Sequence, residues 1–239
     1  MKKIVLAGYY GFGNAGDELI LRQVSKELSV RFPDCHVTVL SHDPLFTRKE
    51  HGLDSVNRWS VSGVFSAIRQ CDLLFFGGGG LLQDKTGNMS LFYYLTLLLI
   101  ALSMNKEVEA YAMGIGPIRR KWNRFLAASI LRRIPRISVR DQRSQEWVSE
   151  FANRPDVRIV PDPVLGIPLP RKKDSRTGHP LLGVIARDPF VGKMKSPQAA
   201  RELKLFIDGI SAGCAEFAGK CGARVCLIPF HQSADRVFT

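Results

Sequence analysis

A glycine-rich turn between a strand pattern and a helix pattern is the feature that most constrains the fold of this chain. The apolar run Ile4–Leu6 leads into residues 8–18, GYYGFGNAGDE, and an apolar helical periodicity follows over 19–28. Glycine permits backbone angles and close approaches that a side chain would block. The free amides of a helix start point into such a turn. The pattern predicts a binding loop within a strand–loop–helix unit; the alternative is a tight connection that holds no ligand.

The same unit recurs along the chain. Strand patterns over 35–40, 56–59, 72–76, 107–113, 137–141 and 157–160 alternate with helix patterns over 18–32, 61–69, 91–102, 119–133 and 142–151, and Asp43-Pro44 opens a short connection. This rhythm predicts an α/β fold with an open, Rossmann-like parallel sheet. Ligands of such sheets bind beyond the carboxyl ends of the strands. Four polar or glycine-rich strand ends, at 8–17, 77–84, 114–117 and 140–141, therefore predict a composite cleft.

A change of composition divides the chain. Residues 166–179 are rich in proline, glycine and charge, which is typical of a linker. We therefore predict an N-terminal Rossmann-like domain over 1–165, a linker over 166–179, and a second region over 180–239. That second region shows strand patterns over 181–186 and 224–229 and a helix pattern over 198–220, too little for an independent α/β core. We expect either packing against the first domain or, in preference, a truncated second Rossmann-like domain.

Composition predicts a globular cytoplasmic protein. Of the 239 residues, 45% are hydrophobic and 23% are charged, which is ordinary for a soluble chain. Five cysteines lack the spacing of a zinc site, so we expect buried reduced thiols and no metal. No secretory signal is visible, and the apolar stretch over 91–102 is too short to span a bilayer.

The net charge of +12 is concentrated in one region. Nine basic residues and one acidic residue lie between Arg119 and Arg143. Such a patch could contact nucleic acid, anionic lipid or a phosphorylated substrate, or could be a solvated helix face. No nucleic-acid-binding motif accompanies it, so nucleic acid is the weakest of these alternatives.

Five motifs in order resemble the polysaccharide pyruvyl transferases, and the CsaB branch of bacterial cell-surface assembly in particular. They are residues 8–18, 77–84 (GGGGLLQD), 114–117 (GIGP), 138–141 (SVRD) and 162–165 (DPVL), with a weaker match through 228–231 and Asp235. The resemblance implies a GT-B-like fold, in which two Rossmann-type domains face each other across a cleft. It implies transfer of the pyruvyl group of phosphoenolpyruvate to a sugar, forming a ketal and releasing phosphate, with phosphoenolpyruvate as co-substrate and no cofactor.

The resemblance also implies partners. In the CsaB branch the acceptor is an amino-sugar unit of a lipid-linked cell-wall polymer, and the modified polymer is what surface-layer proteins dock onto. We therefore expect phosphoenolpyruvate and a lipid-linked or polymeric saccharide as ligands. From the basic patch, separately, we expect peripheral contact with an anionic membrane through the Arg119–Arg136 region.

Candidate site residues come from the strand ends. Arg140 matches the arginine of the SVRD motif and is predicted to bind the anionic donor; the alternative is an ion pair with Asp141 or a neighbouring acid. Asp17 and Asp84 are predicted to bind the acceptor or act as base, with helix N-capping as the alternative. His231 is a donor-side candidate. The loop residues expected to bind substrate are Gly11, Gly13, Asn14, Gly78, Gly79, Gly80, Gly114 and Gly116.

One departure from the family bears on activity. The family contributes an R-x-H motif to the phosphoenolpyruvate site from its second domain, and none lies between Pro180 and Thr239. We expect the acceptor side in residues 1–165 and a largely missing donor side. Two alternatives therefore stay open: a non-catalytic saccharide-binding module, and a GT-B glycosyltransferase that uses a nucleotide sugar.

Overall fold

A computed structural model describes residues 1–84, 87–168, 178–185 and 197–230. The chain forms two compact units. The first comprises residues 1–12 and 16–168, and the second comprises residues 13–15 and 169–239. The predicted boundaries at 165 and 180 stay a prediction, since most of the expected linker, residues 169–177, lies outside the described residues.

The first unit is built on a parallel sheet. Among the described residues it has seven strands in the order β3-β2-β1-β4-β5-β6-β7, with every neighbouring pair parallel. The chain winds outward from β1 to β3, then returns to pair β4 with β1, which creates a switch in strand order between β1 and β4. The predicted Rossmann-like α/β class is confirmed. The strands are β1 (Lys3–Tyr10), β2 (His36–Ser41), β3 (Asp54–Asn57), β4 (Leu73–Gly77), β5 (Glu107–Met113), β6 (Arg136–Val139) and β7 (Arg158–Ile159).

Helices cover both faces of this sheet. They are α1 (Ala15–Arg31), α2 (Pro44–His51), α3 (Val61–Gln70), α4 (Asn88–Ser103), α5 (Lys121–Leu131) and α6 (Gln142–Ala152), and a 3₁₀ turn spans Pro163–Gly166. The buried residues of α1 form one hydrophobic cluster with one face of the sheet. Those of α3, α4, α5 and α6 form a second cluster with the opposite face.

Alternation within the central strands explains the two clusters. Ile4 and Leu6 of β1 lie in the cluster with α1, whereas Val5 and Ala7 lie in the cluster with the other helices. All four are buried, because a strand between two helical layers points successive side chains to opposite faces. A near-continuous apolar run is therefore what the centre of this sheet requires.

The apolar helix α4 is a core helix, as predicted. Its buried side chains are Leu91, Tyr94, Leu95, Leu97, Leu98 and Ala101. Within the described residues, no helix combines the length and apolarity needed to cross a membrane.

The segment after Asp43 is a helix, so the prediction of a short connection there was wrong. Asp43 caps α2 by accepting from the amides of Leu45 and Phe46, each at 3.0 Å, and Pro44 occupies the first turn, a favourable position for proline. Within α2 Thr47 is the buried residue. The helix therefore has no apolar stripe that periodicity could reveal, although its capping signal was present.

The second unit contains a parallel pair, β8 (Leu181–Val184) and β9 (Arg224–Leu227), with α7 (Pro197–Cys221) between them in sequence. Of the five free cysteines, Cys71 is buried, but Cys221 and Cys226 are exposed. The expectation of buried thiols was thus wrong for these two, because every side chain of β9 is solvent-exposed.

Candidate functional site

Two of the predicted loops run side by side at the carboxyl edge of the sheet. The amide of Gly114 donates to the carbonyl of Gly79 at 2.9 Å, and that of Gly116 donates to Leu82 at 2.8 Å. Loop 77–84 after β4 and loop 114–117 after β5 are therefore fastened to each other by backbone hydrogen bonds. Residues that the sequence placed on separate strand ends form one rim.

Loop 77–84 also rests on the start of α1. Gly78 and Gly79 both have φ near +79°, and a Cβ at Gly78 would lie 2.1 Å from Cγ2 of Ile20. Both the backbone angle and the close approach exclude a side chain there. Asp17 Oδ1 lies 2.9 Å from the place a Cβ of Gly79 would take. The first and second glycine loops thus meet at Asp17.

Tyr10 connects the first glycine loop to loop 77–84. Its hydroxyl donates to the carbonyl of Gly77 at 2.7 Å, and its side chain is fully buried. Burial, together with the negative charge of Asp17, raises the pKa of Tyr10 far above its ordinary value. The phenol therefore stays protonated and keeps donating at any physiological pH.

A cavity of about 950 Å³ opens beside this rim, and Arg140 projects along its wall. Arg140 follows β6, so strand pairing brings it next to the ends of β4 and β5. The lining residues are Gly80, Gly114, Ile115, Gly116, Pro117, Arg140, Asp141, Gln142, Arg143, Glu146 and Trp147. Three predicted glycines and the predicted arginine therefore share one site.

Two carboxylates hold the Arg140 guanidinium. Nη1 donates to Asp162 Oδ2 at 3.2 Å, and Nε lies 3.8 Å from Asp141 Oδ2. The side chain remains 34% exposed. The ion pair that was the alternative to donor binding is thus present, with Asp162 as the closer partner. It does not preclude anion binding, because a guanidinium carries five N–H donors and Asp162 engages one.

Gly114 leaves room for that guanidinium. A Cβ at Gly114 would lie 2.9 Å from Arg140 Nε and 3.0 Å from Nη2. Such contacts are shorter than packing allows, so any side chain here would displace Arg140. The first glycine of the GIGP motif, Gly114, is therefore needed to leave space for the arginine of the SVRD motif.

The start of α6 fixes the far side of the cavity. Asp141 Oδ1 accepts from the Ser144 amide at 2.8 Å, which makes Asp141 the N-cap of α6. The buried Ser144 hydroxyl accepts from the Ile115 amide, also at 2.8 Å. Asp141 therefore serves as a helix cap, and through Ser144 it anchors the backbone of loop 114–117.

Asp84 caps a helix that begins 37 residues later in the chain. Its carboxylate accepts from the amides of Arg119 and Arg120 at 2.8–3.1 Å and from Nδ2 of Asn123 at 3.1 Å. Partial desolvation would raise the pKa of Asp84, but these hydrogen bonds outweigh it and the pKa lies below its usual value. The structure thus shows the capping role for Asp84, and its catalytic role stays a prediction.

A buried Glu18–His51 pair supports the first loop, and sequence analysis did not find it. Glu18 Oε1 accepts from the Gly11 amide at 2.9 Å, while Oε2 lies 3.0 Å from Nε2 of His51. The side chains of His51 and Glu18 are 8% and 12% exposed. A sequence separation of 33 residues, within an unrecognised helix, left no local signal for this contact.

Arg58 is a second residue that sequence analysis missed. It is buried and donates to the Gly8 carbonyl at 3.2 Å. Its guanidinium lies 4.3 Å from the ring centroid of Tyr93 and 5.2 Å from that of Phe12. These rings line a mainly apolar cleft of about 600 Å³ between the first loop, α3 and α4. Arg58 therefore ties the first loop to that cleft.

Some predicted residues are not brought into this cavity. Gly13 and Asn14 belong to the second compact unit, and His231 lies outside the described residues. Gly11 lies in the first unit, where its φ of +77° and its closeness to Ser41 require glycine. In the described part of the chain, no cluster of three metal-ligating side chains occurs.

A sequence model of the family "Polysaccharide pyruvyl transferase" matches residues 14–233. The chain belongs to the polysaccharide pyruvyl transferase family. The resemblance carried by the five motifs is thereby confirmed at the level of the family. No curated protein sequence matches the chain significantly.

Solved structures similar to this pyruvyl transferase family member include two with the same overall fold. The structure of a putative UDP-N-acetylglucosamine 2-epimerase from Listeria monocytogenes has a TM-score of 0.55 at 11% identity, covering 95% of this chain and 62% of its own. Anabaena Alr3699/HepE in complex with UDP and glucose has a TM-score of 0.53 at 14% identity, covering 96% and 70%. The chain thus spans less than two thirds of the first structure. These neighbours agree with the predicted GT-B-like fold class.

Proposed function

We propose that this chain takes part in the transfer of a pyruvyl group from phosphoenolpyruvate to a saccharide, forming a pyruvate ketal. The observation that carries the proposal is the position of Arg140, in the cavity between two glycine loops, in a chain of the polysaccharide pyruvyl transferase family. Following the motif resemblance, the acceptor we propose is a sugar of a lipid-linked cell-surface polymer.

Arg140 is the group we assign to the anionic donor. Phosphoenolpyruvate carries a carboxylate and a phosphate, and a guanidinium binds either with paired N–H donors. Asp162 fixes the guanidinium plane, while the glycines at 80 and 114 leave its approach open. The exposed Arg143 lines the same cavity and adds positive charge.

The reaction needs proton transfers as well as binding. One acceptor hydroxyl adds to the enol carbon while a proton goes to the methylene, which becomes a methyl group. A second hydroxyl then displaces phosphate from the same carbon, completing the ketal. A base is needed at the hydroxyls and an acid at the methylene.

We propose Asp17 rather than Asp84 as the carboxylate that assists an acceptor hydroxyl. Asp84 caps the start of α5, where it accepts from the amides of Arg119 and Arg120 and from Asn123. Asp17 lies where the first and second glycine loops meet, against Gly79. The half-buried position of Asp17 at the start of α1 also suits a residue that orients a sugar hydroxyl.

A comparison of ligands distinguishes pyruvyl transfer from the two alternatives, a saccharide-binding module and a glycosyltransferase that uses a nucleotide sugar. Phosphate release from phosphoenolpyruvate is measured with and without a panel of N-acetylhexosamine and hexose nitrophenyl glycosides, and products are weighed by mass spectrometry. We expect release that depends on a glycoside, and a product heavier by pyruvic acid less water. Glycoside binding without any phosphate release would indicate a saccharide-binding module. A thermal shift with UDP-sugars and none with phosphoenolpyruvate would indicate a glycosyltransferase.

A further inference from the structure

Three helices of the first unit present large apolar side chains at their N-terminal ends. Val61 of α3, Met89 of α4 and Trp122 of α5 are the first or second residues of their helices, and they are 84%, 81% and 82% exposed. Solvent exposure of single apolar residues is ordinary, but their repetition at corresponding helix ends is not.

These helix ends lie next to one another. Asn123 of α5 donates to Oδ1 of Asn88, the first residue of α4, at 3.0 Å. The starts of α3 and α4 line the two sides of the 600 Å³ apolar cleft. Five of the exposed apolar side chains at these neighbouring helix starts line the cleft, and two lie on α5 beside it. We call the set the helix-end surface; it comprises Trp59, Val61, Phe65, Met89, Phe92, Trp122 and Phe125.

Positive charge borders the helix-end surface. Arg119, Arg120 and Lys121 lead into α5 and are exposed. Across the described part of the chain, none of the three forms an ion pair with a carboxylate. Capping by Asp84 holds the backbone of Arg119 and Arg120 in place. Their side chains are exposed at the border, and the charge of Arg120 also attracts the Asp84 carboxylate.

Two arginines beyond the other end of α5 make contacts within the fold. Arg136, the first residue of β6, pairs with Glu107 and Glu109 of β5. Arg132 donates to the carbonyls of Phe151 and Ala152. The expected contact region Arg119–Arg136 is therefore divided, and its N-terminal part borders the helix-end surface.

We propose that the helix-end surface docks onto an anionic lipid bilayer. Exposed tryptophan and aliphatic side chains beside a group of lysine and arginine match the chemistry of a membrane interface, where apolar groups enter the headgroup region and basic groups meet anionic lipid. The apolar cleft between α3 and α4 offers space for an acyl chain. Since helix starts and strand ends share one edge of a parallel α/β sheet, docking would bring the Arg140 cavity close to the bilayer surface. This inference goes beyond pyruvyl transfer and does not depend on it.

Partitioning of the full chain onto vesicles, measured without phosphoenolpyruvate, tests the contribution of the basic residues that border the helix-end surface. We expect binding to vesicles of phosphatidylcholine with phosphatidylglycerol and much weaker binding to phosphatidylcholine alone. Each basic group near an anionic surface changes partitioning about fivefold, so Arg119→Gln with Lys121→Gln should lower it about 25-fold. The matched control is Arg133→Gln, at the opposite end of α5. An unchanged partition coefficient in the double variant would overturn the proposal.

A second pair of variants tests the contribution of the apolar residues of the helix-end surface to membrane binding. Met89→Ser with Trp122→Ser should abolish the binding that persists at high salt, whereas Val30→Ser, which alters an exposed apolar residue in the last turns of α1, should not. Sedimentation of the unliganded chain supplies the competing outcome. If Met89→Ser with Trp122→Ser converts a dimer to a monomer and leaves lipid binding intact, the surface is a protein interface and the proposal is wrong.

Discussion

Nη1 of Arg140 lies 3.2 Å from Oδ2 of Asp162, so the SVRD and DPVL motifs meet as an ion pair. Asp162 Oδ1 also accepts from the Val164 amide at 3.1 Å. One carboxylate thereby caps the 3₁₀ turn and orients the arginine that we assign to the donor. The geometry makes Asp162 a positioning residue, which gives a specific kinetic expectation.

Asp162→Asn should lower kcat more than it changes KM for phosphoenolpyruvate. The amide oxygen can still cap Val164, but the charge that fixes the guanidinium plane is lost, and a small misplacement costs on the order of 10- to 100-fold in rate. The control is Asp156→Asn, which removes the surface ion pair with Arg154 and should leave both constants unchanged. A rise in KM with constant kcat would contradict a positioning role.

Gly114→Ala should separate activity from stability. The added Cβ would approach Arg140 Nε to 2.9 Å, and the flexible guanidinium would move away. We expect kcat/KM to fall by at least about tenfold, with a change of less than about 1 kcal/mol in the free energy of unfolding. Gly213→Ala in α7, where a Cβ meets no neighbour within 4 Å, is the control and should be neutral or stabilising. Full activity of Gly114→Ala would show that the Arg140 position is not needed.

The strands and glycine loops of this structure could be predicted from sequence, because they depend on local sequence patterns. The structure confirms the apolar run at Ile4–Leu6 as a strand of the parallel sheet. It also confirms the glycines at 78 and 79 as positions where the backbone requires glycine. Contacts made by polar residues across the fold could not be predicted. Arg140 meets Asp162 because β6 and β7 are neighbours, and Glu18 meets His51 because α2 follows β2. No spacing rule within the chain encodes either contact.

His51→Ala should destabilise the first loop. The substitution removes the imidazole that lies 3.0 Å from Oε2 of the buried Glu18 carboxylate, and loss of a hydrogen bond to a charged group costs about 1.5–3 kcal/mol. We expect the free energy of unfolding, measured with denaturant, to fall by that amount and the KM for the saccharide to rise. His36→Ala is the matched control, because its pair with Asp54 is exposed and should contribute less than about 0.5 kcal/mol. Equal effects of the two variants would contradict a supporting role for His51.

Asp84→Asn should act on stability and its pH dependence. A folded-state pKa below the ordinary value means that the Asp84 contribution is present above the unfolded pKa of about 4 and is lost as pH falls through the folded pKa. Wild-type protein should therefore lose more stability than Asp84→Asn during acid titration, while at neutral pH the variant is less stable by about 1 kcal/mol. Loss of a general base would instead lower kcat by on the order of 10² or more, and that result would reject our preference for Asp17.

The central claim is that Arg140 binds the donor for pyruvyl transfer, and glycoside-dependent phosphate release by Arg140→Ala tests it most directly. Arg69→Ala, which removes an exposed arginine near the end of α3, is the control. We predict that Arg140→Ala lowers release by on the order of 10² or more, because the donor loses a charged partner, while its melting temperature stays close to that of wild type. Release at the wild-type rate by a folded Arg140→Ala protein would contradict the account.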